Sequence, residues 1–314
     1  MADINIDTTI KNKNQRNLEY FETRNNIDLP YAFEVNSGKP GKHIVIVGGI
    51  HGHESAGVEA IKYINNHIES STFKLEFGKV TFILGNPHAH KINQRLVDKN
   101  LNRAFLQDLE EGVESDRASE IKKYLENNKI EFLLDLHTVS QGDLKLIAVY
   151  SEDNKMLATR MTSFNIIAQL SEDNTPGSLA LQCEKLGIPA FMMECGNNTS
   201  RASVLIARSN IVLALRYFGL IEEIEEYHDL TKFKPQNNPK VYILLEAIKT
   251  DYDFRFADPS AVTGTQLKAG QEYAFGANNN YFAQQDCVIF IPDHNPSPKD
   301  HDAGFLAKLE SASG

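Results

Sequence analysis

Cysteine is scarce in this sequence, present only as Cys183, Cys195 and Cys287. An odd number at wide spacing excludes a disulfide framework and a cysteine zinc motif, which leaves small buried residues in a reducing compartment. Cys195 adjoins Glu194, but a cysteine nucleophile would need a partner histidine at a site of its own. Basic charge is short as well. Against 42 Asp and Glu stand 32 Lys and Arg, a net charge of −10, so no cationic surplus exists to neutralise phosphates and nucleic acid is not an expected partner. No apolar run approaches the roughly 20 residues of a membrane span. The opening MADINIDTTIKNKNQ lacks the apolar stretch of a secretion signal. A cytoplasmic protein without a membrane partner is expected.

What is present is an ordinary globular composition, 41% hydrophobic and 24% charged over 314 residues, enough for one large domain or two. The organising stretch is HIVIVGGIHGHE, residues 43–54. It reads as a buried strand that stops at two glycines and presents His51 and Glu54 at its carboxyl end, the edge where open α/β sheets bind ligands. An amphipathic helix follows, with Val58, Ile61, Ile64 and Ile68 on one face. KVTFIL (79–84) and FLLDL (132–136) read as further buried strands. Between them lies the long polar segment GNPHAHKINQRLVDKNLNRAF and a helix over 115–127. Strand pieces at 144–150 and 190–194 flank helices expected over 155–170 and 178–186, and a long helix is expected over 202–218. Strand and helix thus alternate, as in an α/β domain with a largely parallel sheet. After Gly219 the character changes. EEIEEYHDLTKFKPQNNPK resembles a linker, and short strands at 241–248, 272–275 and 287–291 suggest a small, mainly β domain.

The chemistry-bearing residues gather at predicted strand ends. His51 and Glu54 are suited to a divalent metal, most naturally zinc, and His137 in DLHT is a third ligand delivered to the same edge. Asp135 is placed to orient a ligand from behind. Glu194 in ECG is the natural general base, since a metal-activated water needs a group to take its proton and pass it to a leaving nitrogen. Arg95, Asn102 and Arg103 offer donors for a carboxylate or for a carbonyl gaining negative charge. A nucleotide-binding reading of VGGIHG fails on spacing, because the first glycine would fall on Val47.

In this order GGIHGHES, GNPHAHKINQR, NLNRAF, DLHT and ECG, over roughly residues 43–200, resemble the motifs of the succinylglutamate desuccinylase/aspartoacylase family of zinc carboxypeptidase-like amidohydrolases. The resemblance implies an α/β fold: a zinc carboxypeptidase-like mixed sheet of eight strands flanked by helices, with a smaller β-rich C-terminal domain that narrows the entrance. The division falls at 1–224 and 225–314. It also implies that His51, Glu54 and His137 bind one zinc ion (Zn2+) per chain, and that Glu194 is general base and acid. Arg95 would polarise the scissile carbonyl, while Asn102 and Arg103 would hold a substrate carboxylate. The implied partner is a small acidic N-acyl amino acid; a homo-oligomer is compatible with the sequence. Family members carry Asn where this chain has His53 and Asp where it has Asn100. Aspartoacylases place an arginine about ten residues before the catalytic glutamate, where this chain has Glu184 or Lys185. Their substrate-contacting tyrosine has no counterpart in IPDHNPSPKDHDAGF. The part that selects N-acetylaspartate is thus incomplete. A zinc carboxypeptidase for short peptides, or a non-catalytic metal-binding homologue, are the competing readings.

Overall fold

The computed structural model describes residues 2–106, 111–161, 164–222, 239–250, 253–296 and 302–310. In chain order these form α1 (Ala2–Arg24), β1 (Ala32–Asn36), β2 (His43–Gly48), α2 (Ser55–Glu69), β3 (Lys79–Leu84), α3 (Pro87–Lys91), α4 (Val113–Asn127), β4 (Phe132–Val139), β5 (Lys145–Val149), α5 (Glu152–Met161), β6 (Ile166–Gln169), α6 (Leu179–Lys185), β7 (Ala190–Asn197) and α7 (Arg201–Tyr217). Then come β8 (Lys240–Lys249), β9 (Arg255–Phe256), β10 (Gln266–Leu267), β11 (Glu272–Phe275), β12 (Asn280–Phe282), β13 (Cys287–Phe290) and β14 (Asp302–Leu309). Among the described residues no helix is long and apolar enough to cross a membrane.

Every residue of β2 and β4 is buried, because helices cover both faces of the sheet and side chains alternate between them. In β2, Ile44 and Ile46 join the core formed with Phe21 of α1, Ile61 and Ile64 of α2 and Ile211 of α7. Val45 and Val47 join the opposite core, with Ile121 and Leu125 of α4 and Leu179 of α6. In β4 the residues Phe132, Leu134 and Leu136 take the first face and Leu133 the second. Alternation therefore puts Asp135 and His137 on the α4/α6 side, where the sheet opens toward the cavity described below.

The main sheet has the order β1-β3-β2-β4-β7-β5-β6-β8-β14-β13-β10. Strands β3, β2, β4 and β7 run parallel to one another, so their carboxyl ends share one edge. The first eight strands supply the mixed sheet that the family resemblance implies, and three more extend it to eleven. A second sheet of three strands has the order β12-β11-β9.

The helix expected over 155–170 is corrected. It ends at Met161, and Ile166–Gln169 is a strand parallel to both β5 and β8. Successive residues Ile167 and Ala168 enter different cores, the alternation of a strand, and the β-branched Ile166 and Ile167 suit a sheet better than a helix. The linker expected over 222–240 falls mostly on 223–238, outside the described residues. We propose that 1–224 and 225–314 are distinct in role, since residues after the division wall the cavity. The sheet nonetheless crosses between them, through pairing of β8 with β6.

Candidate active site

The turn after β2 is built by close backbone approach. Gly49 has φ +74, a conformation that costs glycine little. A Cβ on Gly52 would lie 2.2 Å from the carbonyl carbon of Ala89, so α3 packs directly on the loop that carries His51. His90 secures this approach: its Nδ1 donates to the Gly52 carbonyl at 2.7 Å, and its Nε2 accepts from Asn17 of α1 at 3.1 Å. The Gly52 amide in turn donates to the Arg95 carbonyl at 3.2 Å.

Glu54 precedes α2 at the N-cap position but makes no side-chain capping bond, which leaves its carboxylate to the site. Its Oε1 lies 2.7 Å from His51 Nδ1, and its Oε2 lies 3.1 Å from His137 Nδ1 while accepting from the Thr138 amide at 2.9 Å. Ligand atoms of His51, Glu54 and His137, all buried, lie within 4.8 Å of one another. The far nitrogen of each ring is held from behind: His51 Nε2 by Asn100 Oδ1 at 3.2 Å, and His137 Nε2 by Asp135 Oδ2 at 2.9 Å. This suits a divalent metal, with two imidazoles and a carboxylate facing one point and outer partners fixing the rings.

The parallel register of β4 and β7 sets Glu194 directly beside His137. Glu194 Oε2 is buried with no hydrogen-bond partner among the described residues. Burial raises its carboxyl to about 7, the negative charge of Glu54 adding to this while His137 and Arg95 pull the other way. Burial, and then the cation of Arg95, lower His51 to about 4. For His137 burial works downward, but Asp135 and Glu54 outweigh it and raise the ring well above its usual value. Glu54 is held well below the usual carboxylate range, because the two histidines overcome the cost of its burial. Cys195 is buried, and burial pushes its thiol well up, so it offers no thiolate nucleophile.

Arg95 joins this group, its NH1 lying 3.2 Å from His51 Nδ1 and 3.7 Å from Glu54 Oε1. The loop beneath it is clamped by Glu114, which is fully buried and was not singled out by sequence reasoning. Its carboxylate accepts from the amides of Val97, Asp98 and Lys99 at 2.6, 3.1 and 3.3 Å, and from Asn86 Nδ2 at 3.0 Å. Asn102 and Arg103 sit in the 3-10 turn Leu101–Arg103. Asn102 is partly structural: its Oδ1 accepts from the Leu179 amide at 3.0 Å, and its Nδ2 faces Met192 Sδ at 3.4 Å. Arg103 donates to the Asn102 carbonyl at 2.8 Å and to Asp302 Oδ2 of β14 at 3.1 Å. Asp302 is the second residue that sequence reasoning missed.

Of the eight residues singled out in the sequence, seven line one cavity of about 1150 Å³, and the eighth, Asp135, lies behind His137. The other wall of the cavity comes from the C-terminal strands and their loops, including Arg255, Phe275, Asp293 and Asp302.

Comparison with known proteins identifies the family. The family model for the succinylglutamate desuccinylase/aspartoacylase catalytic domain matches residues 40–216. A succinylglutamate desuccinylase of Pseudomonas aeruginosa (strain UCBPP-PA14) is 29% identical over 171 residues, 50% of this chain and 51% of the relative. The chain thus spans about half the length of that relative. One from Vibrio vulnificus (strain YJ016) is 25% identical over 275 residues, covering 83% of this chain and 79% of its own. Among solved structures, a succinylglutamate desuccinylase of Vibrio parahaemolyticus superposes with a TM-score of 0.67 at 20% identity, covering 88% of this chain and 86% of that one. This last likeness concerns the fold alone. With the family model spanning more than half of the sequence, from β2 to α7, the chain belongs to the succinylglutamate desuccinylase/aspartoacylase family.

Proposed function

We propose that this protein is a zinc-dependent, cytoplasmic deacylase that hydrolyses the amide bond of a small N-acylated amino acid. The observation that carries the reading is the set of three buried ligand atoms in one cavity with Glu194, whose buried Oε2 has no partner among the described residues. His51, Glu54 and His137 would hold the metal through two Nδ1 atoms and a carboxylate oxygen. When bound there, zinc supplies a Lewis acid and lowers the pKa of water toward neutrality. Glu194, held near neutral pH, takes a proton from the attacking water and gives it to the departing nitrogen. Arg95 meets the oxygen that gains charge as the carbonyl becomes tetrahedral. Asn102 Nδ2 and Arg103 orient the substrate's carboxylate.

The test joins metal analysis with a screen of N-acyl amino acids and short peptides. Expected are about one zinc per chain, loss of activity on chelation, its return with zinc, and release of a free amino acid from an N-acyl substrate. Glu194→Gln should keep the metal and lose roughly 10²–10⁴-fold in kcat. An active Glu194→Gln enzyme removes Glu194 from its role. Hydrolysis of peptides only would make this a carboxypeptidase, and a protein without metal or activity after zinc addition would overturn the reading.

A further inference from the structure

A pocket for acidic substrates should carry a surplus of cations, and among the described residues this one does not. Setting aside Glu54 and Glu194, which serve the chemistry, the charged residues lining the cavity are Arg95, Arg103 and Arg255 against Asp143, Asp293 and Asp302. The balance is closest at Arg103. Its NH2 is paired with Asp302 Oδ2 at 3.1 Å and its NH1 is given to the Asn102 carbonyl at 2.8 Å. Its Nε is buried without a partner among the described residues. Asp302 is itself nearly enclosed, with 9% of its side chain exposed, while its other oxygen is met by the largely exposed ammonium of Lys249. With Arg103 already partly neutralised by Asp302, one substrate carboxylate can be matched there, while a second would add to a fixed protein carboxylate at a distance where like charges repel through a partly dry medium.

We propose that Asp302 is a specificity-determining residue: through its pair with Arg103 it admits N-acyl compounds with a single carboxylate, or with a compensating ammonium, and disfavours dianions. The proposal rests on the deacylase reading for its substrate class. Its geometry comes from β14, which brings a residue 199 positions distant in sequence onto the 3-10 turn that bears Arg103.

The experiment uses substrates that match in shape and differ by one charge. The ratio of kcat/KM for N-acetyl-L-aspartate over N-acetyl-L-asparagine is measured for the zinc-loaded enzyme and its variants. Asp302→Asn should raise this ratio about tenfold, the size of a one-charge change in a partly solvated pocket. Adding Arg103→Gln to Asp302→Asn should remove that gain. Lys249→Met, at an exposed position, should lower the ratio two- to threefold, since Asp302 then acts without its second counter-charge. A ratio unchanged within twofold in folded Asp302→Asn, or a gain that survives in the double variant, overturns the proposal. If Asp302→Asn does not fold, Lys249→Met carries the test, and an unshifted ratio there has the same force. Calorimetric binding of succinate against succinamate asks the same question without turnover. Failure to hydrolyse any N-acyl amino acid would thus defeat the reaction while leaving the role of Asp302 testable, and Asp302→Asn should gain affinity for succinate only.

Discussion

Replacing Glu114 by glutamine isolates what a buried carboxylate does for a loop whose chemistry lies elsewhere. Glu114 is fully buried and satisfies three consecutive backbone amides, those of Val97, Asp98 and Lys99, as well as Asn86 Nδ2. Hydrogen bonds to a charged acceptor contribute about 1.5–3 kcal/mol each, and a buried amide left without an acceptor costs about 1–3 kcal/mol. Glutamine can still accept on the side facing Val97 and Asn86. On the other side its NH2 would meet the amides of Asp98 and Lys99, donor against donor. Two bonds weakened and two reversed come to a loss of about 3–5 kcal/mol, a large share of an ordinary domain's stability. The assay is equilibrium unfolding in guanidinium, read as a shift in midpoint at unchanged slope. A control, Glu120→Gln, removes a carboxylate that is 44% exposed and paired with Arg117, and should change stability by under about 1 kcal/mol. Because the same loop carries Arg95, folded Glu114→Gln should also lose kcat more than KM rises. A variant within about 1 kcal/mol of the parent, with kcat intact, refutes the clamp.

Two further outcomes are expected. Asp135→Asn should weaken metal binding about 10–100-fold, read by competition with a chromogenic chelator, because it loosens the partner that orients His137; unchanged affinity would take Asp135 out of that role. His90, completely buried, is lowered to about 4 by burial, with its hydrogen bond to Gly52 opposing. The unfolded chain then binds the extra proton between about 4 and the ordinary histidine value of 6.5. Its contribution is complete above the unfolded value and is lost as pH falls through that window, at most about 3 kcal/mol. His90→Gln should flatten the difference in unfolding midpoint between pH 7 and pH 4.5, and an identical slope would contradict the assignment.

The sequence made the site legible where it lies on strand ends. HIVIVGGIHGHE, FLLDLHT and AFMMECG are apolar runs that stop at chemistry-bearing residues, and parallel neighbours bring such ends together whatever the loops do. The register of His137 against Glu194 is the structural form of that rule. What stayed hidden depends on side chains meeting across long separations. Asp302 gives no local sign of facing Arg103. Glu114 reads as one acid among several at the start of α4, and Asn17 as one polar residue of a polar helix. The C-terminal strands were partly missed for another reason: β9 and β10 span two residues each, and β14 carries register shifts and a Gly304 at φ +112 that spoil its alternation. The strand β6 was mistaken for helix because four residues are too few for a period to declare itself.

The continuity of the sheet from β6 into β8 and β14 bears on how such a protein can change over generations. The stretches 255–263 and 291–295, which wall the cavity, hang from strands and turns held by their own pairing. The reactive groups lie on β4, β7 and the turns after β2 and β3, whose register those stretches do not set. Substitutions in the wall can accumulate while the histidines and glutamates keep their spacing. A lineage can thus acquire a taste for new acyl compounds and inherit its means of cleaving them intact.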